Sequence, residues 1–424
     1  MKTFSRKLVL HFLMGLARHR LKRLRPFIIG VTGSVGKTST KDAIFTLLKN
    51  RYQVVRNEKS YNTEFGLPLA VLEQPSGFSA PLEWAGILLK AMGKAFFGGG
   101  RLQMMVLEMG VDKPGDMTEL LRLVRPQIGV MTNIKPVHLA EGQFKDLEDI
   151  FLEKRKLVDA LPAKGTAVLN ADDPYLVSLR DKLACKTLFY GFSEAADLRV
   201  LNVESELEGI RFTLTYRDQV LSGALPLLGA FQIYVVLPAL AAGLTQGFTL
   251  EEGLQALRDF KVPPGRMTLI SGINETFLID SSYNASPETV KQALDLLHET
   301  AKGRKIAVLG AMNELGAASE RYHREVGRHA VGKADLLVTV GEQARFAAEE
   351  AQKEGFPASD LFHCADVLEA EKRLKTVLQK GDTVLVKGSQ NKVRLERLVK
   401  ALMQNPETAK ELLVRQEKHW QRIK

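Results

Sequence analysis

Residues 27–39 read Phe27-Ile28-Ile29-Gly30-Val31-Thr32-Gly33-Ser34-Val35-Gly36-Lys37-Thr38-Ser39, an apolar strand that enters a glycine-rich turn and leaves it through Lys37-Thr38 at the start of a helix. Gly33 and Gly36 let the backbone approach a triphosphate, and the exposed N–H groups and helix N-terminus favour negative charge. Lys37 reaches the β- and γ-phosphates and the Thr38 hydroxyl suits Mg²⁺. The loop residues Gly33, Ser34, Val35, Gly36, Lys37, Thr38 and Ser39 are therefore the candidate nucleotide cradle, and the chain is expected to bind ATP or GTP. The spacing is a variant of GxxxxGK[ST], with Val31 where that pattern has glycine and Gly30 one place earlier.

Outward from this stretch, short apolar runs alternate with helical lengths: Phe27 to Val31, Met104 to Glu108, Ile128 to Asn133 and Ala167 to Asn170. That alternation predicts an α/β fold with a parallel sheet. Between about Leu198 and Leu228 the texture changes to alternation, as in Ile210, Phe212, Leu214 and Tyr216, which predicts a small antiparallel appendage. Pro263-Pro264-Gly265 interrupts both helix and strand, and a second α/β series follows through Thr276 to Asp280, Lys305 to Leu309, Leu336 to Val340 and Thr383 to Val386. The expected organisation is a basic amphipathic helix over 1–26, a P-loop-type central ATPase domain over 27–264 and a Rossmann-like doubly wound domain over 265–424.

The 424 residues, 45% hydrophobic and 25% charged, suit two or three globular domains. Cys185 and Cys364 are too few for a disulfide framework or a cysteine metal site, and suit a reducing cytoplasm. The formal net charge is +10, but Lys2, Arg6, Lys7, Arg18, Arg20, Lys22, Arg23 and Arg25 supply eight of those charges with no acid among them. A duplex-binding protein spreads its cations over the folded surface, so nucleic acid is not an expected partner. The segment 1–25 interleaves these cations with Leu8, Val9, Leu10, Phe12, Leu13, Leu16, Leu21 and Leu24. It is too short and too charged to span a bilayer, and a second cation cluster stands where a signal-peptide cleavage site would lie. Packing on the next domain, peripheral contact with anionic lipid at the inner membrane surface, and disorder all remain open for it.

Amide formation from a carboxylate needs an activated carbonyl, which ATP supplies as an acyl phosphate, and the two anions that meet need cations to neutralise them. Candidate groups lie at the carboxyl ends of predicted strands. Glu108 ends one such strand as a hard oxygen ligand, and His138 follows another. Taken singly, an acid after a strand is usually a helix cap and a lone histidine a surface contact; their order behind a phosphate loop is what makes them candidates.

The loop, together with Asn62-Thr63-Glu64-Phe65-Gly66-Leu67-Pro68, Val106-Leu107-Glu108-Met109-Gly110, Asn133 with His138-Leu139, Leu169-Asn170-Ala171-Asp172-Asp173-Pro174 and Pro264-Gly265-Arg266, resembles the ordered motifs of the Mur ligases. So do Ile279-Asp280-Ser281-Ser282-Tyr283-Asn284-Ala285, Leu309-Gly310-Ala311-Met312-Asn313-Glu314-Leu315-Gly316 and Val386-Lys387-Gly388-Ser389, which look most like the branch that adds D-alanyl-D-alanine to a muramyl tripeptide. The resemblance covers roughly Phe27 to Lys400. It implies an ATP- and Mg²⁺-dependent ligase of peptidoglycan precursor synthesis, with a muramyl-peptide-like carboxylate and a dipeptide amine as substrates.

The resemblance also implies roles. Lys37 would bind phosphate; Thr38, Glu108 and His138 would hold Mg²⁺; Lys154 would be carbamylated, with a solvated helix face as its alternative beside Arg155 and Lys156. Arg266 and Asp280 would contact the nucleotide, and Asn62, Tyr283, Asn284, Lys387 and Ser389 would line the substrate side. Departures shift some expectations. The family's uridine-binding domain normally precedes the loop, where this sequence has the short basic segment, so a UDP-free, lipid-linked or free peptide is an alternative substrate. The family's Gly-x-His-Asn-x-x-Asn adenine motif is here Gly229-Ala230-Phe231-Gln232-Ile233-Tyr234-Val235, which leaves Phe231 or Tyr234 to stack on the base, or else a weakened nucleotide-binding regulator of cell-wall synthesis. Ala311 stands where the branch has an acid.

Overall fold

The apolar runs form strands and the longer amphipathic lengths form the helices between them. The computed structural model describes residues 3–57, 64–75, 81–137, 142–313, 315–389, 393–417 and 420; Asn62 and His138 lie outside these. The first elements are α1 (Thr3–Leu24), β1 (Phe27–Thr32), α2 (Lys37–Leu48), β2 (Val54–Arg56), α3 (Gly66–Val71) and α4 (Pro81–Phe96). Next come β3 (Met104–Glu108), α5 (Asp116–Leu121), β4 (Ile128–Met131), α6 (Leu147–Asp159), β5 (Thr166–Asn170), α7 (Pro174–Val177) and β6 (Lys186–Gly191). The strands β7 (Leu198–Glu206), β8 (Gly209–Tyr216) and β9 (Gln219–Leu225) precede α8 (Ile233–Thr245) and α9 (Leu250–Leu257).

These strands form one sheet of order β2-β3-β1-β4-β5-β6-β7-β8-β9 among the described residues. Pairing is parallel from β2 through β7, with Val31 opposite Glu108 on one side of β1 and opposite Val130 on the other. The two-residue connections after Glu206 and after Tyr216 leave no room for a crossover, so β7, β8 and β9 run as an antiparallel meander. β1 lies inside the sheet and is buried almost throughout, as a central parallel strand must be. Gly30 is a packing position within this strand: a Cβ there would stand 3.0 Å from Leu157 Cδ1, Met109 Sδ and Pro126 Cγ. The early glycine of the variant loop thus serves the core, and Val31 fills the strand behind the turn.

The second series contains β10 (Thr268–Ser271), β11 (Phe277–Ser281), α10 (Pro287–Thr300), β12 (Lys305–Leu309), α11 (Ser319–Ala330), β13 (Leu336–Val340) and α12 (Arg345–Lys353). It closes with β14 (Leu361–Cys364), α13 (Val367–Val377), β15 (Thr383–Lys387), α14 (Glu396–Leu402) and α15 (Ala409–Leu412). The sheet order is β10-β11-β15-β12-β13-β14, with β10 antiparallel to β11 and the other pairs parallel.

The chain divides into two compact units, one of Met1–Val203, Arg211–Leu225 and Phe231–Lys261, the other of Glu204–Ile210, Pro226–Ala230 and Val262–Lys424. Helix α1 belongs to the first. Leu13, Leu16 and Ala17 are buried in that unit's core, and the buried Arg20 guanidinium donates to the Val71 carbonyl and pairs with Glu73.

Candidate functional site

The phosphate loop sits between β1 and α2 and is held by the end of β4. Thr132 Oγ1 donates to the Val35 carbonyl at 2.6 Å, the Val35 N–H donates to Asn133 Oδ1 at 2.9 Å, and Ser34 N donates to the Asn133 carbonyl at 2.9 Å. Ser34 Oγ donates to the Lys135 carbonyl at 3.0 Å and accepts from Lys135 N at 2.9 Å. Gly33 has φ 144°, and a Cβ there would lie 1.9 Å from Thr132 Oγ1; Gly36 caps α2 with φ 85°. No side chain caps α2 at Gly36, and the positive end of the helix points out of the turn, where an anion is favoured. The Lys37 ammonium donates to the Gly33 and Ser34 carbonyls at 2.9 and 3.0 Å, which holds its charge inside the loop. Thr38 and Ser39 are buried behind it, and Val35 is exposed at the tip.

Glu108 ends β3 one strand away and is buried. Asn57, completely buried, brackets its backbone: Glu108 N donates to Asn57 Oδ1 at 2.8 Å and Asn57 Nδ2 donates to the Glu108 carbonyl at 3.2 Å. Lys41, one helical turn after Lys37, was not singled out by sequence reasoning; its Nζ donates to the Asn57 carbonyl at 2.6 Å and pairs with Asp42 at 3.1 Å. Burial holds the Lys41 ammonium below its ordinary value despite the attraction of Asp42 and Glu108. The i, i+4 spacing from Lys37 was the signal that could have found it.

Lys154, on α6, has no exposed surface, and its Nζ is buried with no hydrogen-bond partner among the described residues. The solvated-face alternative for this lysine is thereby excluded. Burial first, and the Lys37 charge second, push Lys154 well below the usual lysine range, against the pull of Asp112 and Glu153. Its neighbours on α6 are engaged elsewhere: Glu153 accepts from Met117 N at 2.7 Å and pairs with Lys156.

The Asn170–Asp173 turn ties β5 to the same region. Asn170 Nδ2 donates to the Thr132 carbonyl at 3.0 Å and Asp173 Oδ2 accepts from Ile134 N at 2.7 Å. Asp172 accepts from Phe192 N, Ser193 N and, at 3.0 Å, the Tyr234 hydroxyl. Tyr234 also lies 5.8 Å from the Phe192 ring, while Phe231 is half-buried nearby in sequence. Burial and the Asp172 carboxylate raise the Tyr234 hydroxyl far above the usual tyrosine range, so it stays protonated as a donor.

In the second unit the carboxyl ends of β11, β15 and β12 converge, where ligands bind in open α/β sheets. Lys387 Nζ donates to Ser281 Oγ at 3.2 Å and to the Asn284 carbonyl at 2.7 Å. Ser389 Oγ lies 3.2 Å from Asn284 Oδ1 and 3.1 Å from the Ala285 carbonyl, and accepts from Asn313 N at 3.0 Å. Burial and the neighbouring Arg266 push Lys387 down to about 7. Arg266 stacks over the Tyr283 ring at 4.2 Å. Asp280, the other expected nucleotide contact, is completely buried, and its Oδ1 accepts from Ser282 N at 3.0 Å. Burial raises its carboxyl to about 6 against the hydrogen bonds from Ser282. It shapes the Ser281–Asn284 turn from beneath.

Comparison with protein-family models matches residues 31–243 to the Mur ligase middle domain and residues 265–390 to the Mur ligase glutamate ligase domain. The UDP-N-acetylmuramoyl-tripeptide–D-alanyl-D-alanine ligase of Bacillus subtilis (strain 168) is 31% identical over 396 residues, covering 93% of this chain and 79% of that protein. The enzyme of that name from Escherichia coli (strain K12) is 28% identical, over 89% of this chain and 77% of that protein. Among solved structures, the MurF ligase of Thermotoga maritima in complex with ADP superposes with a TM-score of 0.75 at 26% identity, covering 95% of this chain and 84% of that one. With both domain models matched in order and the relatives aligned along most of their own length, the chain belongs to the Mur ligase family and is an ATP-dependent ligase.

Proposed function

We propose that this chain joins the amine of D-alanyl-D-alanine to the carboxylate of a muramyl tripeptide in cytoplasmic peptidoglycan precursor synthesis. The observation that carries the reading is Lys154: a fully buried, unpartnered lysine amine set against the Lys37 charge. A solvent-facing lysine would stay protonated. Burial favours the neutral amine here, the form that would add to CO₂ to give a carbamate anion with release of a proton.

The substrate carboxylate attacks the γ-phosphorus of ATP, ADP leaves, and the dipeptide amine then displaces phosphate from the acyl carbon. Lys37 and the N-terminal end of α2 would neutralise the phosphates through both steps. Thr38, Glu108 and His138 are the groups that would hold Mg²⁺, with the carbamylated Lys154 supporting them. The donor chemistry fits: a hydroxyl and a carboxylate are hard oxygen ligands, and Mg²⁺ commonly takes one or two carboxylates together with substrate phosphates. When bound, Mg²⁺ supplies charge neutralisation to the phosphoryl oxygens. On this reading Arg266 and Asp280 would contact the nucleotide, Phe231 or Tyr234 would stack on the base, and Asn62, Tyr283, Asn284, Lys387 and Ser389 would line the peptide side. Peripheral contact of residues 1–25 with the inner membrane surface belongs to the same reading. No helix among the described residues is long and apolar enough to cross a membrane.

The test is incubation of the purified chain with ATP, Mg²⁺, D-alanyl-D-alanine and a muramyl tripeptide, with and without its UDP, following phosphate release and product mass. The expected product is the pentapeptide, with one phosphate released per amide formed. ATP binding without coupling to either tripeptide would overturn the assignment.

A further inference from the structure

Large apolar side chains exposed on this protein are concentrated on two neighbouring helices. Leu8 and Phe12 of α1, Leu89, Met92 and Phe96 of α4, and Phe97 just beyond it are all exposed, Phe97 to 89%. Helix α1 carries apolar residues on two sides: Leu13, Leu16 and Ala17 face the core, while Leu8 and Phe12 lie on the opposite, open strip that continues through Gly15 and His19. The open strip of α4 runs Ala85, Leu89, Met92 and Phe96. Both follow the three-and-four spacing of a single helix face.

The strips meet. The His19 and Phe96 rings are 4.5 Å apart, and Arg23 donates to the Ala95 and Gly98 carbonyls, so the C-terminal ends of the two helices lie together. The exposed charges beside the strips are basic: Arg18 and Lys22 on α1, Lys90 on α4 and Arg25 after α1, against Glu83 at the start of α4.

We infer that the open faces of α1 and α4 form one composite surface that seats on an anionic lipid bilayer, with Phe96, Phe97, Leu89 and Phe12 entering the interface and Arg18, Lys22 and Lys90 meeting the lipid headgroups. This rests on the peripheral-contact part of the proposed function and extends it from α1 to α4. A second copy of the chain fits less well, because a symmetric interface would set the same cation cluster against itself. Anionic headgroups complement those cations, and aromatic and leucine side chains favour the headgroup–acyl boundary.

The experiment is sedimentation of the full chain with vesicles of phosphatidylcholine, with or without about one third phosphatidylglycerol. The wild type is expected to bind the anionic vesicles alone, more weakly at high salt through screening. The α4 variant Leu89→Glu/Phe97→Glu is expected to bind roughly ten- to hundredfold more weakly, with unchanged nucleotide binding and melting temperature. Leu89→Ser/Phe97→Ser should weaken binding in the same direction without added charge. If both α4 variants bind like wild type while Arg18→Glu/Lys22→Glu abolishes binding, contact through α1 stands and the composite face falls. If the wild type ignores both vesicles, the peripheral-contact reading falls with it. Self-association that Phe97→Glu abolishes, without vesicle binding, would assign the face to a second copy and overturn the inference.

Discussion

Gly33 shows how little freedom the loop has. Its φ of 144° and the 1.9 Å approach of any Cβ to Thr132 Oγ1 mean that a side chain would displace the residue that fixes Val35. The charges behind the loop have different duties, which substitution separates. Lys37→Ala and Glu108→Ala are each expected to cost ~10²-fold or more in turnover by removing charge neutralisation. Lys154→Ala should lose activity similarly, yet alone among the three recover part of it with added acetate or propionate, which supplies the missing anion; an active, unrescued alanine variant would sink the carbamate. Lys387 gives a pH signature in stability. Its folded value of about 7 lies below that of an unfolded lysine, ~10.4, so between these the unfolded chain binds the extra proton and stability rises with pH. The contribution is at most about 1.4 kcal/mol per pH unit. Asp280, raised to about 6, acts oppositely at lower pH: stability falls as pH rises from about 4 to 6. Urea unfolding at about pH 7.5 and 9.5 should show a gain for wild type that Lys387→Met lacks. An equal gain in both would refute the buried-lysine account.

At the scale of elements, the turn after β11 is fastened by residues far along the chain and past the matched family domain. Arg415 donates to the Ser282 and Tyr283 carbonyls at 3.2 and 2.7 Å and pairs with Glu396 at 3.2 Å, while Arg394 pairs with the same carboxylate. All three side chains are buried, and both arginines have φ 58°, a left-handed backbone that β-carbon residues rarely keep without compensation. The triad supplies that compensation. Glu396→Gln would leave two buried guanidinium groups without their counter-ion, a loss of about 3 kcal/mol or more in chemical denaturation. A loss within about 0.5 kcal/mol would mean that the arginines find other partners. This fastening holds Tyr283 and Asn284 on the turn beside Lys387, which closes β15.

Across the whole molecule, each unit has its own sheet, its own core and one tryptophan: Trp84 on α4 and Trp420 near the C-terminus. With Trp420→Phe and Trp84→Phe as single-tryptophan probes, Glu396→Gln is expected to lower the denaturation midpoint reported by Trp420 and leave that reported by Trp84 unmoved. Equal shifts at both would show one cooperative unit in place of two. The sequence alone determined the P-loop and the α/β class, because a buried parallel strand needs an unbroken apolar run and a phosphate turn needs glycines at fixed offsets. Thus β1, β3, β12 and β13 were legible from Phe27, Met104, Lys305 and Leu336. The edge strands β2 and β14 were not: Val54–Arg56 and Leu361–Cys364 are short and mixed, and only pairing with β3 and β13 makes them strands. At the site, Lys37, Glu108 and Lys387 announced themselves through motifs, since local spacing carries local chemistry. The burial of Lys154, the inward turn of Asp280, the engagement of Lys41 and the meeting of α1 with α4 were decided by the tertiary structure alone. Each depends on which residues distant in sequence remove water from a charge or leave an apolar face open to it, and no single segment encodes that.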